Sequence, residues 1–410
     1  MTTEQTFVIV GASLTGASAA QTLREAGFTG RVVLVGAENE RPYERPPLSK
    51  GYLLGSEERP TIFVHEEDWY AKHSVELRLG HSAVELDRGA RTVRLDNGEQ
   101  LQYDKLLLAT GASPRELDVP GTDLDGIFSL RRVGDSERLQ AALRAHSRVA
   151  VVGAGWIGLE TAAAARELGC EVTVFEPQPT PLHAALGAEM GEFFAELHRR
   201  HGVHLRLGSG VSRINGSDGR VTSVVDDNDE EVPADAVIVA VGARPNTELA
   251  ERCGLSVDNG VLVDASLRTD DADIYAAGDV ANPTHPRYQR RVRVEHWDNA
   301  LHGGQAAAKA MLGQDVDYDR LPYFFTDQYD VGMEFSGWFP PGGYDAVVTR
   351  GDVAEQAFYA FWLSGERVVA AMHINQWDDG IAPAQALILG GGAVDAKRLA
   401  DASVPFDQLS

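Results

Sequence analysis

Two stretches of this chain carry glycines at a spacing that can cradle a phosphate. The fuller one is Val149-Ala150-Val151-Val152, then Gly153-Ala154-Gly155-Trp156-Ile157-Gly158, an apolar run from Leu159 to Leu168, Gly169, and Val172-Thr173-Val174-Phe175 closing on Glu176. A strand that turns through glycines into a helix lets a pyrophosphate approach the backbone, where the helix's first N–H groups and its dipole favour an anion. The acid that closes the next strand can accept from a ribose hydroxyl. A turn that merely packs accounts for the glycines but not for the placed acid. The same grammar occurs earlier: Phe7-Val8-Ile9-Val10, then Gly11-Ala12-Ser13-Leu14-Thr15-Gly16, an alanine-rich stretch to Ala26, Gly27, and Val32-Val33-Leu34-Val35 with Glu38 just beyond. Here Ser13 stands where the middle glycine is expected; it is small, and its hydroxyl can donate to phosphate.

Two such units imply two dinucleotides, and the economical pair is FAD with NADH or NADPH. A third strand-to-turn, Ile274-Tyr275-Ala276-Ala277-Gly278-Asp279, offers a carboxylate that can accept from the ribityl hydroxyls of a flavin, although Gly-Asp turns are common. Glu176 would accept from a free 2′-hydroxyl and repel a 2′-phosphate. The residues Pro177 to Pro181 hold no Arg or Lys to offset that repulsion, so NADH is favoured over NADPH.

The elements around these turns follow from periodicity. Short apolar runs alternate with helical stretches, which is the pattern of parallel sheets wrapped by helices. Leu106 to Ala112 and Ala236 to Ala243 are further buried strands, each ending in a tight turn. Beyond Leu321 aromatics cluster and short β-like runs such as Asp345 to Thr349 and Ala357 to Leu363 alternate with turn residues, which predicts a separate α+β segment. The chain of 410 residues suits two to four domains at roughly 100–200 residues each. A formal net charge of -24 argues against nucleic acid as a bulk partner. No apolar run approaches the ~20 residues of a membrane helix, and no signal peptide is evident. Cys170 and Cys253 are far apart and form no C-x-x-C, so neither a zinc site nor a redox dithiol is supported, and a cytoplasmic location is expected.

The order GASLTG, RPPLSK, ATGASP, GAGWIGLE, VGARPN, YAAGDV resembles the two-dinucleotide flavoproteins of glutathione-reductase-like fold. More narrowly it resembles the NADH-dependent ferredoxin reductases of bacterial oxygenase systems, with RPPLSK and EHWDNA (295–300) the most specific parts. The resemblance spans essentially the whole chain. It implies a discontinuous FAD domain over 1–113 and 244–320, an NAD domain over 114–243, and a C-terminal α+β domain over 321–410. For FAD it implies Gly11, Ser13, Leu14 and Gly16 at the pyrophosphate, Glu38 at the adenosine ribose and Val84 on the adenine side. Ala109, Arg131 and Asp279 join that set, with Arg45 and Pro46 against the ring. Trp297 would begin a helix to Leu312 whose N-terminus faces the flavin's pyrimidine edge. For NAD it implies Gly153, Gly155, Trp156, Ile157, Gly158, Glu176 and Gly242. Lys50 would sit beside the flavin and Glu160 at the nicotinamide carboxamide, as the two catalytic residues; an ion pair between them is expected in the apo protein.

The activity implied is electron transfer from NADH through FAD to a one-electron iron–sulfur ferredoxin that serves a monooxygenase or dioxygenase, by a monomer or weak homodimer. The alternatives on the same fold are rubredoxin or monodehydroascorbate reduction, NADH oxidation, or a flavin-bound NADH-sensing interaction protein. Ferredoxins are usually acidic, so docking on this acidic chain needs a local positive patch. Arg287, Arg290, Arg291 and Arg293, in RYQRRVR, are the candidates.

Overall fold

A computed structural model of the chain describes residues 5–145 and 147–409. In chain order the elements that matter for the site are β1 (Thr6–Val10), α1 (Leu14–Glu25), β2 (Arg31–Gly36), β3 (Val75–Leu79), β4 (Lys105–Leu108), β5 (Ile127–Phe128), β6 (Arg148–Val152), α2 (Trp156–Glu167), β7 (Glu171–Glu176), α3 (His183–Arg200), β8 (Val203–Leu207), β9 (Ala236–Val239), β10 (Ile274–Ala276), α4 (Trp297–Met311), β11 (Tyr323–Gln328), β12 (Val331–Gly337), β13 (Ala346–Asp352), β14 (Ala357–Ser364) and β15 (Arg367–Ile374). They fall into two compact units. The first comprises Met1–Pro46, Glu58–Ser113 and Ala243–Arg320; the second comprises Pro47–Glu57, Pro114–Gly242 and Leu321–Ser410. The chain therefore passes from one unit to the other between the two prolines of RPPLSK.

In the first unit a parallel sheet runs in the order β10-β4-β1-β2-β3. Its strands are nearly continuous apolar runs because a parallel sheet is covered on both faces; Val8, Ile9, Val32, Leu34 and Leu106 are fully buried. From β1 the chain first winds one way, to β2 and β3, and then returns to place β4 on the other side. That reversal puts a topological switch point at the carboxyl ends of β1 and β4, the position at which doubly wound sheets bind ligands. Helices α1 and α4 approach closely, and a Cβ at Gly304 would stand 2.3 Å from the carbonyl oxygen of Thr15.

The second unit repeats the arrangement, with parallel order β8-β7-β6-β9-β5 and its reversal between β6 and β9. It also contains an antiparallel sheet, β11-β12-β15-β14-β13, built from the C-terminal aromatic-rich residues. One hydrophobic core, running from Val151, Leu159 and Phe194 to Phe335, Phe358 and Trp362, joins the two sheets of this unit. The tail that follows is latched by Arg350, which donates to the carbonyls of Asp401 and Val404 at 2.6 Å each. The helix expected to end at Leu312 ends at Met311, with Leu312 as its C-cap. No helix among the described residues is long and apolar enough to cross a membrane.

Candidate functional site

The two glycine turns have the same internal geometry. At Gly11 the backbone has φ +129, and an added Cβ would lie 1.9 Å from the carbonyl oxygen of Ala109 at the end of β4. At Gly153 φ is +98, and a Cβ would lie 2.5 Å from the carbonyl oxygen of Ala240 at the end of β9. Each turn therefore presses its first glycine against the neighbouring strand across the reversal point, in a conformation that favours glycine. The last glycines match too: a Cβ on Gly16 or Gly158 would stand 2.0 Å from the carbonyl oxygen of Gly11 or Gly153.

The middle position explains the serine. Gly155 is extended, at φ -78, and a Cβ there would meet nothing within 4 Å. Ser13 occupies the matching N-cap, also extended at φ -124. A side chain is thus sterically free at this position, so Ser13 is no obstacle to the turn. Neither N-cap residue makes a side-chain capping bond to the first N–H groups of α1 and α2, the groups that a helix offers to a dinucleotide phosphate.

The acids are already oriented. Glu176 accepts from the N–H of Ala154 at 2.8 Å and of Gln178 at 2.9 Å, which pins its carboxylate beside the second glycine turn. Glu38 accepts from Tyr43 Oη at 2.6 Å and pairs with Arg45 at 3.2 Å. Asp279 lies in a one-turn 3-10 segment, Gly278–Val280, and its backbone carbonyl accepts from Arg293 Nη1 at 3.1 Å. The Nε of Arg293 is buried and has no hydrogen-bond partner among the described residues. A buried guanidinium N–H left so beside Asp279 fits a polar group of a cofactor. Trp297 opens α4, and its Nε1 donates to Glu44 at 2.5 Å. Burial raises the Glu44 carboxyl above the usual carboxylate range, against the pull of that bond. These features fit FAD in the first unit and a nicotinamide dinucleotide in the second.

Of the residues expected at FAD, Gly11, Ser13, Leu14, Gly16, Glu38, Arg45, Pro46, Val84, Ala109, Asp279 and Trp297 lie in the first unit. Lys50 and Arg131 lie in the second, with the whole nicotinamide set. Val84 sits half-buried, its carbonyl accepting from Arg252. Gly242, at φ +102, accepts from the N–H of Arg115. Trp156 packs edge-on against Phe194 and tilted against Phe324, whereas Ile157 next to it is 42% exposed.

The second unit holds a charged centre. Pro46–Ser49 form a 3-10 turn, since proline presets φ for it, and Gly51–Leu54 continue as a short helix. The segment is tied down by Ser136, which donates to the carbonyl of Leu48, and by Gln140, which donates to the carbonyls of Tyr52 and Leu53. Lys50 then reaches Glu160 on α2, with Nζ 2.7 Å from Oε1. The pair is largely withdrawn from water, with side-chain exposures of 16% and 6%. Thr326 Oγ1 donates to Oε1 at 2.6 Å and Ser49 Oγ to Oε2 at 2.5 Å. Asp327 keeps an exposed edge; desolvation nonetheless raises its carboxyl, opposed by Lys50 and reinforced by Glu160.

Sequence reasoning missed Ser49 and Thr326. Ser49 was adjacent to a residue already singled out, but Thr326 is one polar residue in a β pattern and gives no local signal. The four arginines expected at a docking face divide. Arg291 Nη1 donates to the carbonyls of Asn282 and Val263, although the residue keeps exposed surface. Arg293 is turned inward, 13% exposed, toward Asp279 and Glu295. Arg287 and Arg290 remain exposed.

The description of pyridine nucleotide-disulphide oxidoreductases matches residues 5–304, and that of a reductase C-terminal domain matches 323–410. The chain is 40% identical over 376 residues to rhodocoxin reductase of Rhodococcus erythropolis, covering 92% of this chain and 88% of that one. It is 41% identical over 399 residues to the ferredoxin–NAD(+) reductase component of the anthranilate 1,2-dioxygenase system of Burkholderia cepacia, covering 97% of each. It superposes with a TM-score of 0.94, at 34% identity, on the crystal structure of the covalent putidaredoxin reductase–putidaredoxin complex, covering 98% of this chain and 97% of that one.

Proposed function

The chain belongs to the pyridine nucleotide-disulphide oxidoreductase family, and from that premise we propose that it is an NADH-dependent ferredoxin reductase serving an oxygenase. The observation that carries this reading is the duplicated glycine turn, each copy closed by an oriented acid, together with the Lys50–Glu160 centre beside the second copy. FAD, when bound, supplies the link between a two-electron donor and a one-electron carrier.

The chain's own residues would bind and orient. The N–H groups of Leu14, Thr15 and Gly16 face a pyrophosphate, Glu38 a ribose and Asp279 a ribityl chain. The N-terminus of α4 would favour negative charge at a flavin edge. In the second unit Gly155 leaves room for the second pyrophosphate, and Glu176 accepts from a 2′-hydroxyl and repels a 2′-phosphate. Glu160 would accept from the nicotinamide carboxamide. Lys50, held by that carboxylate, would keep a fixed positive charge beside the nicotinamide.

The carrier is an acidic ferredoxin, and Arg287 and Arg290 are its proposed contacts on a monomer or weak homodimer in the cytoplasm. Anaerobic mixing with NADH should bleach the flavin, with NADPH at least ~10-fold slower. Reduction of cytochrome c should require a [2Fe–2S] ferredoxin, and oxygen uptake without it should be slow. Reversing the charge of Arg287 and Arg290 should raise the KM for ferredoxin by roughly 10-fold and flatten its salt dependence. Rapid oxygen consumption without a carrier would make the protein an oxidase. Slow bleaching with NADH-dependent dimerisation would make it a sensor.

A further inference from the structure

Glu160 is the end of a longer buried chain. Thr326 Oγ1, which donates to Glu160, receives Gln328 Nε2 at 3.1 Å. Gln328 Oε1 lies 2.8 Å from His198 Nε2. His198 Nδ1 lies 3.3 Å from the hydroxyl of Tyr329, whose ring stacks on His201 at 3.6 Å. Thr326, Gln328 and His198 are essentially inaccessible to water, at 0%, 1% and 0% exposure. They come from β11 and α3, while Glu160 is on α2.

The direction of every bond follows from one charge. A carboxylate paired with Lys50 can only accept, so the Thr326 hydroxyl donates to it. Its oxygen is then left to accept from the Gln328 amide N–H. Gln328 Oε1 must in turn accept, which places the His198 proton on Nε2 and leaves Nδ1 bare to accept from Tyr329. Amide orientation and imidazole tautomer are thus dictated by Glu160, although neither is visible in heavy-atom positions. Burial lowers the His198 pKa to about 4, so the ring is neutral at pH 7, as this order of donors needs. Lys50, Asp327 and His201 are the other titratable groups facing the chain, with Arg166 and Glu167 near Tyr329.

We infer that Thr326, Gln328 and His198 are positioning residues, a one-way series of donated hydrogen bonds that holds Glu160 as an oriented carboxylate for the nicotinamide. The first strand of the C-terminal sheet thereby becomes part of the NADH site of its own unit. This rests on the reading of Glu160 as a nicotinamide contact.

The test uses the FAD-loaded enzyme. Histidine 15N NMR should show His198 as the neutral Nε2–H tautomer, and an Nδ1–H tautomer would overturn the inference. Thr326→Val should weaken NAD+ binding about 10-fold by calorimetry and shift the His198 ring signals, while Thr326→Ser should restore both to within about 2-fold. Gln328→Leu should act like Thr326→Val, which guards against one variant failing to fold. If Glu160→Gln weakens NAD+ binding but Thr326→Val and Gln328→Leu do not, the inference falls and the reading of the site stands. If Glu160→Gln leaves NAD+ affinity unchanged, the nicotinamide reading falls and the inference falls with it.

Discussion

Lys50 and Glu160 satisfy each other in a site nearly closed to water. Removing one member of such a pair leaves the other charge buried, which costs more than the pair itself contributes. Lys50→Ala should therefore destabilise the protein by roughly 2–4 kcal/mol in chemical denaturation. On its proposed role it should also slow flavin reduction by NADH at least ~10-fold in stopped flow, since a fixed charge beside the nicotinamide would be lost. Unchanged reduction by the variant would remove Lys50 from the site. The lysine's identity was legible because it follows two prolines in an otherwise acidic chain. Its partners were legible unevenly. Glu160 rides two residues past a motif glycine, whereas Thr326, and His198 behind it through Gln328, come from elements remote in sequence that only packing brings together.

At the scale of the element, the glycine turn has positions with opposite demands. Gly153 cannot take a side chain, because φ is positive and the carbonyl of Ala240 is in the way. Gly155 can, because its backbone is ordinary and its Cβ would project into open space. Gly153→Ala should therefore lower stability by about 2 kcal/mol or more through strain. Gly155→Ala should leave thermal stability unchanged yet weaken NADH binding roughly 10-fold, by standing where a pyrophosphate must approach. Equal losses of stability in both variants would contradict this division of labour. Ser13 in the first turn is the counterpart: the backbone accommodates its side chain, and its hydroxyl can donate to an approaching phosphate, which the methyl of an alanine cannot.

At the scale of the whole molecule, buried imidazole makes stability depend on pH. His198 is held near a pKa of about 4, whereas an unfolded histidine titrates near 6.5. Between those values the unfolded chain binds more protons, so stability is complete above about pH 6.5 and falls as pH drops toward 4. The loss from this one group amounts to roughly 3 kcal/mol. Glu334, held below the ordinary carboxylate range by its bond to His373, adds a loss in the same direction, beginning as pH falls below the unfolded carboxylate value. Urea denaturation at pH 7, 5.5 and 4.5 should show the decline, and His198→Gln should flatten it. An unaltered slope in that variant would assign the effect elsewhere.

What the sequence determined by itself was local. Strand, glycine turn, helix, strand and acid lie within one short stretch, and each has a compositional mark, so both glycine turns and the acids beyond them could be read directly. The two-dinucleotide chemistry and the preference for NADH followed from those marks. The tertiary structure alone decided what depends on distant contacts. It turned Arg293 inward beneath Asp279, placed Pro47–Glu57 in the second unit, and joined α2, α3 and β11 through buried hydrogen bonds to Glu160. A buried polar group must find its partner wherever the fold supplies one, and no spacing along the chain records where that is.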